Sequence, residues 1–157
     1  MASEMVFTMG LPAAGKSTTV AARYATTHNV IDPDMIKESH PDYNPKAPEA
    51  LHEWSSECAE QMFAAAIAAG AGCFVVDGTG TNAEKMARRI KQAREAGFFV
   101  RLLYVRCTIE TSLRRNALRA RTVPEFVIRE RARDIATSFE IVAGYVGMDA
   151  VEVANND

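Results

Sequence analysis

The sequence predicts a single α/β domain built on a mostly parallel, five-stranded, doubly wound sheet, with helices on both faces and a helical, arginine-rich lid. Three observations predict it. Short apolar runs with strand character alternate with helix-forming segments along the whole chain, without a composition break or repeat. The stretch Gly10-Leu11-Pro12-Ala13-Ala14-Gly15-Lys16-Ser17 follows the spacing Gly, four residues, Gly, Lys, Ser between an apolar run and a helix-forming one. Seven arginines fall between Arg114 and Arg133.

The first strand is expected at Glu4 to Met9 and the first helix from Lys16 to about Thr27. Val30-Ile31 is a short second strand. Asp34, before Met35-Ile36, suits a helix cap. Pro41, Pro45 and Pro48 make a loop of residues 37–48, and Pro48 suits a helix start. A helix over Glu49 to Ala69 follows, with Leu51, Trp54, Cys58, Met62 and Ala65 stepping by three and four, and Gly70 as its stop. Gly72 to Asp77 is an apolar run ending in a carboxylate, as a doubly buried strand reads. Asn82 caps a helix that runs to about Ala96 before Gly97. Phe98 to Arg106 is a fourth strand. Thr108 caps a helix to about Ala120, broken over Arg121 to Pro124. Glu125 to about Ala143 is a long helix with Phe126 or Ile128, Ala132, Ile135, Phe139 and Val142 on one face, and Val151 to Val153 closes the sheet.

At 157 residues, 48% hydrophobic and 24% charged, the chain suits one globular domain with a full core. No apolar run reaches the roughly 20 residues of a membrane span, and the first residues do not resemble a signal peptide. Cys58, Cys73 and Cys107 lack metal or redox spacing, and two lie in strand-like runs, so they read as small buried hydrophobes in a reducing, cytoplasmic setting. The net charge of −2 excludes a generic nucleic-acid binder. The segment from Arg114 to Arg133 nevertheless carries +5, leaving −7 on the rest, which suits one anionic ligand or a confined basic channel.

The glycine-rich stretch has the chemistry of a triphosphate site. Glycines permit backbone conformations that a Cβ forbids, so the loop amides can form an anion nest. The following helix adds unpaired N–H groups and its dipole. In such a loop Gly10, Pro12, Ala13, Ala14, Gly15 and Thr18 frame the phosphates, Lys16 reaches the β- and γ-phosphates, and Ser17 holds Mg²⁺. ATP and Mg are therefore the expected cofactors. Phosphoryl transfer to an alcohol also needs a carboxylate to take the proton, and Asp32 and Asp34 are candidates, with capping the competing role for Asp34. Asp77 ends a strand, where a second acid can support the metal. Thr79 and Asn82 after it can face an acceptor or simply build a turn. Arg115, Arg119 and Arg121 have the spacing to line a helix end and clamp phosphate oxygens. Arg114, Arg129, Arg131 and Arg133 are expected on a solvated face. His28 suits a helix C-terminus as a dipole partner, and His52 and Glu53 open a helix without further sign of a role.

Taken together, the glycine loop, Ile31-Asp32-Pro33-Asp34-Met35-Ile36-Lys37, Asp77-Gly78-Thr79-Gly80-Thr81-Asn82, and Arg115-Asn116-Ala117-Leu118-Arg119 before Val123-Pro124-Glu125 resemble zeta-toxin-like and polynucleotide-kinase-like P-loop kinases. The lid segment is most similar to polynucleotide 5′-hydroxyl kinases. His40-Pro41-Asp42-Tyr43 and His52-Glu53 with Ser55-Ser56 are more similar to zeta toxins, which phosphorylate a UDP-amino sugar. The resemblance implies Asp34 as general base and Arg115 and Arg119 as lid arginines, within a lid of about residues 114–130. It places Asp77, Thr79 and Asn82 near the acceptor, with Lys37 and Arg121 also on that side. Lys37 stands where the family often has Arg, a weaker bidentate clamp. The implied activity is phosphoryl transfer to a hydroxyl acceptor, either a nucleotide sugar or a nucleic-acid hydroxyl. An antitoxin-type protein partner is also implied, with no membrane partner. A nucleotide-dependent switch is the alternative of another class.

Overall fold

The computed structural model describes residues 2–47, 49–120, 122–145 and 149–157. The chain runs β1 (Glu4–Met9), α1 (Lys16–Tyr24), β2 (Asn29–Ile31), α2 (Pro33–Glu38), α3 (His52–Ala69) and β3 (Cys73–Val76). It continues through α4 (Ala83–Glu95), β4 (Phe99–Arg106), α5 (Ile109–Ala117), α6 (Glu125–Tyr145) and β5 (Ala150–Asn155). The strands form one all-parallel sheet in the order β2-β3-β1-β4-β5.

The order of the strands explains the layers. From β1 the chain first steps out to β2, then returns across the sheet to β5. Right-handed crossovers put α1 on one face and the later helices on the other. Side chains agree. Phe7 of β1 meets Phe63 of α3 edge-on, with ring centroids 6.3 Å apart, and Tyr104 of β4 meets Phe139 of α6 at 4.9 Å. On the opposite face Arg23 of α1 pairs with Glu152 of β5. The central strand is therefore buried from both sides, with Met5, Val6 and Met9 fully buried. Burying a side chain such as Phe7 is worth roughly 1.5–3 kcal/mol.

Several expectations need correction. α1 ends at Tyr24 rather than Thr27, so His28 lies beyond it. Its ring accepts no helix-end role but sits 2.6 Å from the Glu4 carboxylate, with its other nitrogen 2.7 Å from the Thr27 hydroxyl. Residues 37 and 38 belong to the short helix α2 rather than to a loop. α3 begins at His52 rather than Glu49, and its buried face is Ser55, Ala59, Phe63 and Ala66, one residue on from the predicted stripe. The helix carries apolar residues on most sides, so two registers fit a three-and-four spacing equally well, and Trp54 and Met62 end up exposed. On α6, Ile128 is buried and Phe126 is exposed, which settles that choice. α5 stops at Ala117, so the lid is not helical throughout. Residues 118–120 and 122–124 are non-helical, and the Asn116 side chain ties them by donating to the Val123 carbonyl at 2.7 Å and accepting from its N–H at 2.9 Å. Pro48 and Arg121 lie outside the described residues. Cys107 is buried, whereas Cys58 and Cys73 are only half-buried. Among the described residues no helix is long and apolar enough to cross a membrane.

Candidate functional site

The carboxyl ends of β1, β2 and β3 open into a cleft of about 1000 Å³. This is where a parallel sheet with a reversal in strand order places its ligand. The reversal here falls between the neighbours β1 and β3, because β1 connects onward to β2 on one side and β3 to β4 on the other.

The glycine loop forms one wall. Ala13 and Gly15 take left-handed φ of 61° and 94°. This alternation turns successive amides toward one side, as an anion nest requires. Gly15 caps α1, which starts at Lys16, so Lys16, Ser17 and Thr18 present the helix N-terminus to the cleft. Gly10 does not line the cleft. Its N–H donates to the Thr79 carbonyl at 3.0 Å, and a Cβ on it would press on the Val105 carbonyl at 2.7 Å. Glycine is thus required there to bring the loop close to β4 and to the turn after β3. The Lys16 ammonium donates to the Gly78 carbonyl at 3.1 Å across the cleft floor.

Three carboxylates gather on that floor. Asp32, not Asp34, caps α2: its oxygen accepts the Asp34 N–H at 2.9 Å, with Pro33 at the first helical position. The sequence leaves Asp34 open to capping or to a base role, and the cap is Asp32. Asp34 stands in the first turn of α2, half-buried, and lines the cleft. Asp32 is 4% exposed. Burial, together with the neighbouring Asp77 carboxylate, pushes its carboxyl up to about 6, against the lowering effects of the Asp34 amide and Lys16. Asp77 lies just past β3 and accepts the Thr8 hydroxyl at 2.6 Å. Thr8 is a residue that sequence reasoning missed. It is 1% exposed, and its only signal was a hydroxyl inside the otherwise apolar run of β1.

The remaining expected residues converge on the same cleft. Lys37, Thr79 and Asn82 line it, Lys37 being 4% exposed. Asn82 also caps α4, accepting the Lys85 N–H at 3.0 Å. Arg115 and Arg119 line the opposite side, with Arg115 3.5 Å from the Ala14 carbonyl. Arg131, expected on a solvated face, lines the cleft too. Arg129 behaves as expected, pairing in solvent with Glu125. His52, Ser56 and Glu60 of α3, and Lys85 and Arg89 of α4, complete the far wall. Sequence alone could not bring these helices to the cleft, because their placement depends on the sheet order. Asp77 and the Ser17 hydroxyl line this cleft and are oxygen donors of the kind a hard cation such as magnesium takes, although among the described residues no group of three or more His, Cys, Asp or Glu side chains is placed to hold a metal ion. The loop has the form of a phosphate-binding loop, and Asp34 lines the same cleft.

A family model described as an AAA domain matches residues 5–141. No curated protein sequence matches the chain. Among solved structures, the fold is similar to a chain of the PezAT chromosomal toxin–antitoxin system of Streptococcus pneumoniae, with TM-score 0.69 and 14% identity over 99% of this chain and 68% of that one. It is similar to the AvrRxo1-ORF1:-ORF2 complex, with TM-score 0.75 and 20% identity over 90% of this chain, which spans only 50% of that one. The same complex has been solved with ATP. Shikimate kinase from Acinetobacter baumannii, in complex with shikimate, matches with TM-score 0.60 and 17% identity over 98% of this chain and 85% of that one. These identities establish a shared fold.

Proposed function

The chain belongs to the AAA domain family matched over residues 5–141, and on that premise we propose that it is an ATP- and magnesium-dependent kinase acting on a hydroxyl acceptor. The observation that carries the reading is the position of Asp34: a half-buried carboxylate in the first turn of α2, on the same cleft as the phosphate loop. A nucleotide switch needs the loop but not such a base.

In this reading the loop amides and Lys16 hold the β- and γ-phosphates, and Arg115 and Arg119 balance the charge of the transferring group. Ser17 and Asp77 would hold magnesium, which supplies further neutralisation of the phosphate oxygens. The acceptor hydroxyl rests near Thr79 and Asn82, with Lys37 on the same cleft. Its oxygen attacks the γ-phosphorus, its proton passes to Asp34, and the bond to the bridging β–γ oxygen breaks, leaving ADP and a phosphorylated acceptor. Closure of residues 114–130 excludes water. Asp32 is unsuited to the base role because it is buried and its oxygen is held by an amide.

A nucleotide sugar is the acceptor we favour, in keeping with the zeta-toxin-like segments. The alternative is a nucleic-acid hydroxyl, a 5′ end or a hydroxymethylated base, and Arg131 on the cleft wall favours it, whereas Lys85 and Arg89 on that wall share the Glu60 carboxylate. An antitoxin-type protein partner is part of the proposal, since one structure of similar fold comes from a toxin–antitoxin system and another is the AvrRxo1-ORF1:-ORF2 complex. So is a reducing cytoplasmic setting, which suits three free thiols. The test is incubation with γ-labelled ATP against UDP-sugars, 5′-hydroxyl oligonucleotides and hydroxymethylated DNA. Label on one acceptor class, absent with Lys16→Ala, is expected. No acceptor labelled above that background overturns the kinase reading.

A further inference from the structure

The segment after β5 reaches back to the phosphate loop. Asn156 Nδ2 donates to the Ala14 carbonyl at 2.8 Å. The arm that delivers it is fixed on both sides. The Asn156 N–H donates to the Arg106 carbonyl at 2.8 Å, extending the β4·β5 ladder by one bond, and the Asp157 carboxylate accepts the Thr108 N–H at 2.7 Å. Asn156 also lies flat against Gly15, where an added Cβ would run into its amide.

Four carbonyls of the loop, those of Leu11, Pro12, Ala14 and Gly15, accept hydrogen bonds. The Leu11 carbonyl accepts the Ala14 N–H at 3.1 Å, and the Gly15 carbonyl accepts the Thr19 N–H at 2.9 Å, both within the loop and its helix. The Pro12 carbonyl accepts the buried Ser112 hydroxyl of α5 at 2.5 Å. Among the described residues, the Ala14 carbonyl accepts no backbone N–H from the loop or its helix. It is served from outside the loop by Asn156, with Arg115 at a longer 3.5 Å. A peptide unit turns as a plane. Holding the Ala14 carbonyl outward therefore holds the Gly15 N–H inward, where the nest needs it. The left-handed φ of Ala13 costs energy and is maintained only if surrounding contacts fix it, whereas Gly15 adopts its own left-handed φ without that cost.

We propose that Asn156 is a positioning residue for the triphosphate site: it sets affinity for the nucleoside triphosphate by fixing the Ala14–Gly15 peptide, without touching the acceptor. The proposal rests on the loop being a triphosphate site. The side chain must be a donor at this reach. Leucine keeps the size and loses the donor. Aspartate keeps the shape, but sets a carboxylate against a carbonyl and adds negative charge beside the phosphates.

The experiment is direct binding of ATP with magnesium by calorimetry for wild type, Asn156→Leu and Asn156→Asp, with Lys16→Ala as the control for the site and thermal unfolding as the control for integrity. Once an acceptor is known, kinetics follow. Asn156→Leu is expected to weaken ATP binding about 10-fold, the effect of losing one well-placed hydrogen bond, and Asn156→Asp more, with melting temperatures near wild type. In kinetics, KM for ATP rises while kcat at saturation and KM for the acceptor hold. ATP affinity unchanged in Asn156→Leu overturns the proposal, as does a loss shared equally by both substrates together with a falling melting temperature. Wild type that binds no ATP removes the triphosphate reading itself, and this inference with it. Binding lost in Lys16→Ala but kept in both Asn156 variants removes only the inference.

Discussion

The Thr8 hydroxyl donates to the Asp77 carboxylate at 2.6 Å and accepts the Gly78 N–H at 3.1 Å, tying β1 to the turn beyond β3 at the floor of the cleft. One buried hydroxyl thus orients the strand-end carboxylate and satisfies the amide beside it. Thr8→Val keeps the shape and leaves both partners unsatisfied. It should lower stability by about 1–3 kcal/mol, whereas Thr8→Ser should lose well under half of that. Urea midpoints at constant m-value measure this, and a valine variant as stable as wild type would show that the contact contributes nothing.

Asp32 makes stability depend on pH in a stated direction. Its carboxyl is raised from 3.8 to about 6 by burial and by Asp77, so the folded protein binds this proton more tightly than the unfolded chain does. The contribution is fully present below the unfolded value and is lost as pH rises through the folded value. Asp32→Asn keeps an acceptor for the Asp34 N–H and removes the charge. At about 1.36 kcal/mol per unit, the variant should be more stable than wild type by up to about 3 kcal/mol near pH 8 and equal to it below about pH 4. Denaturation across that range reads it, and a difference independent of pH would refute the assignment.

Asn116 holds the loop between α5 and α6 through both polar groups of Val123. Asn116→Ala should open this loop locally. Tryptic cleavage after Arg119 should accelerate roughly 10-fold, in proportion to the lost hydrogen-bond energy, while the melting temperature falls by only ~2–4 °C. Cleavage at the wild-type rate would mean that Val123 is held by other contacts.

The two proposed chemical residues should fail differently. Lys16→Ala should abolish phosphoryl transfer and weaken ATP binding. Asp34→Asn should lower kcat by about 10²–10⁴, the usual worth of a general base, with KM for ATP changed only a few-fold. Equal losses in kcat and ATP affinity for Asp34→Asn would instead mark it as part of the fold of α2.

Salt separates the two acceptor classes. A nucleic acid lying along Arg131, Lys85 and Arg89 should bind with log K falling by about 0.7–0.9 per phosphate neutralised for each tenfold rise in salt. A nucleotide sugar should respond weakly. A flat response together with labelled oligonucleotide would contradict this picture of the wall.

What the sequence determined by itself was local. The glycine spacing, the apolar strand runs and the caps at Asn82 and Thr108 depend on neighbours a few residues away, and all appear in the structure where the residues predicted them. The tertiary structure decided what depends on distance. It moved the buried face of α3 by one residue, because a helix apolar on many sides takes its register from the sheet it covers. It gave capping to Asp32 rather than Asp34, a choice between two like residues that only the direction of the chain at β2 can make. Thr8, Arg131 and Asn156 joined the cleft because the strand order brings β3, α6 and the end of β5 to the phosphate loop. The loop's ability to hold phosphate is written in eight consecutive residues. The wall facing it is assembled from helices far apart in the chain, and its chemistry exists only once the sheet has set their positions.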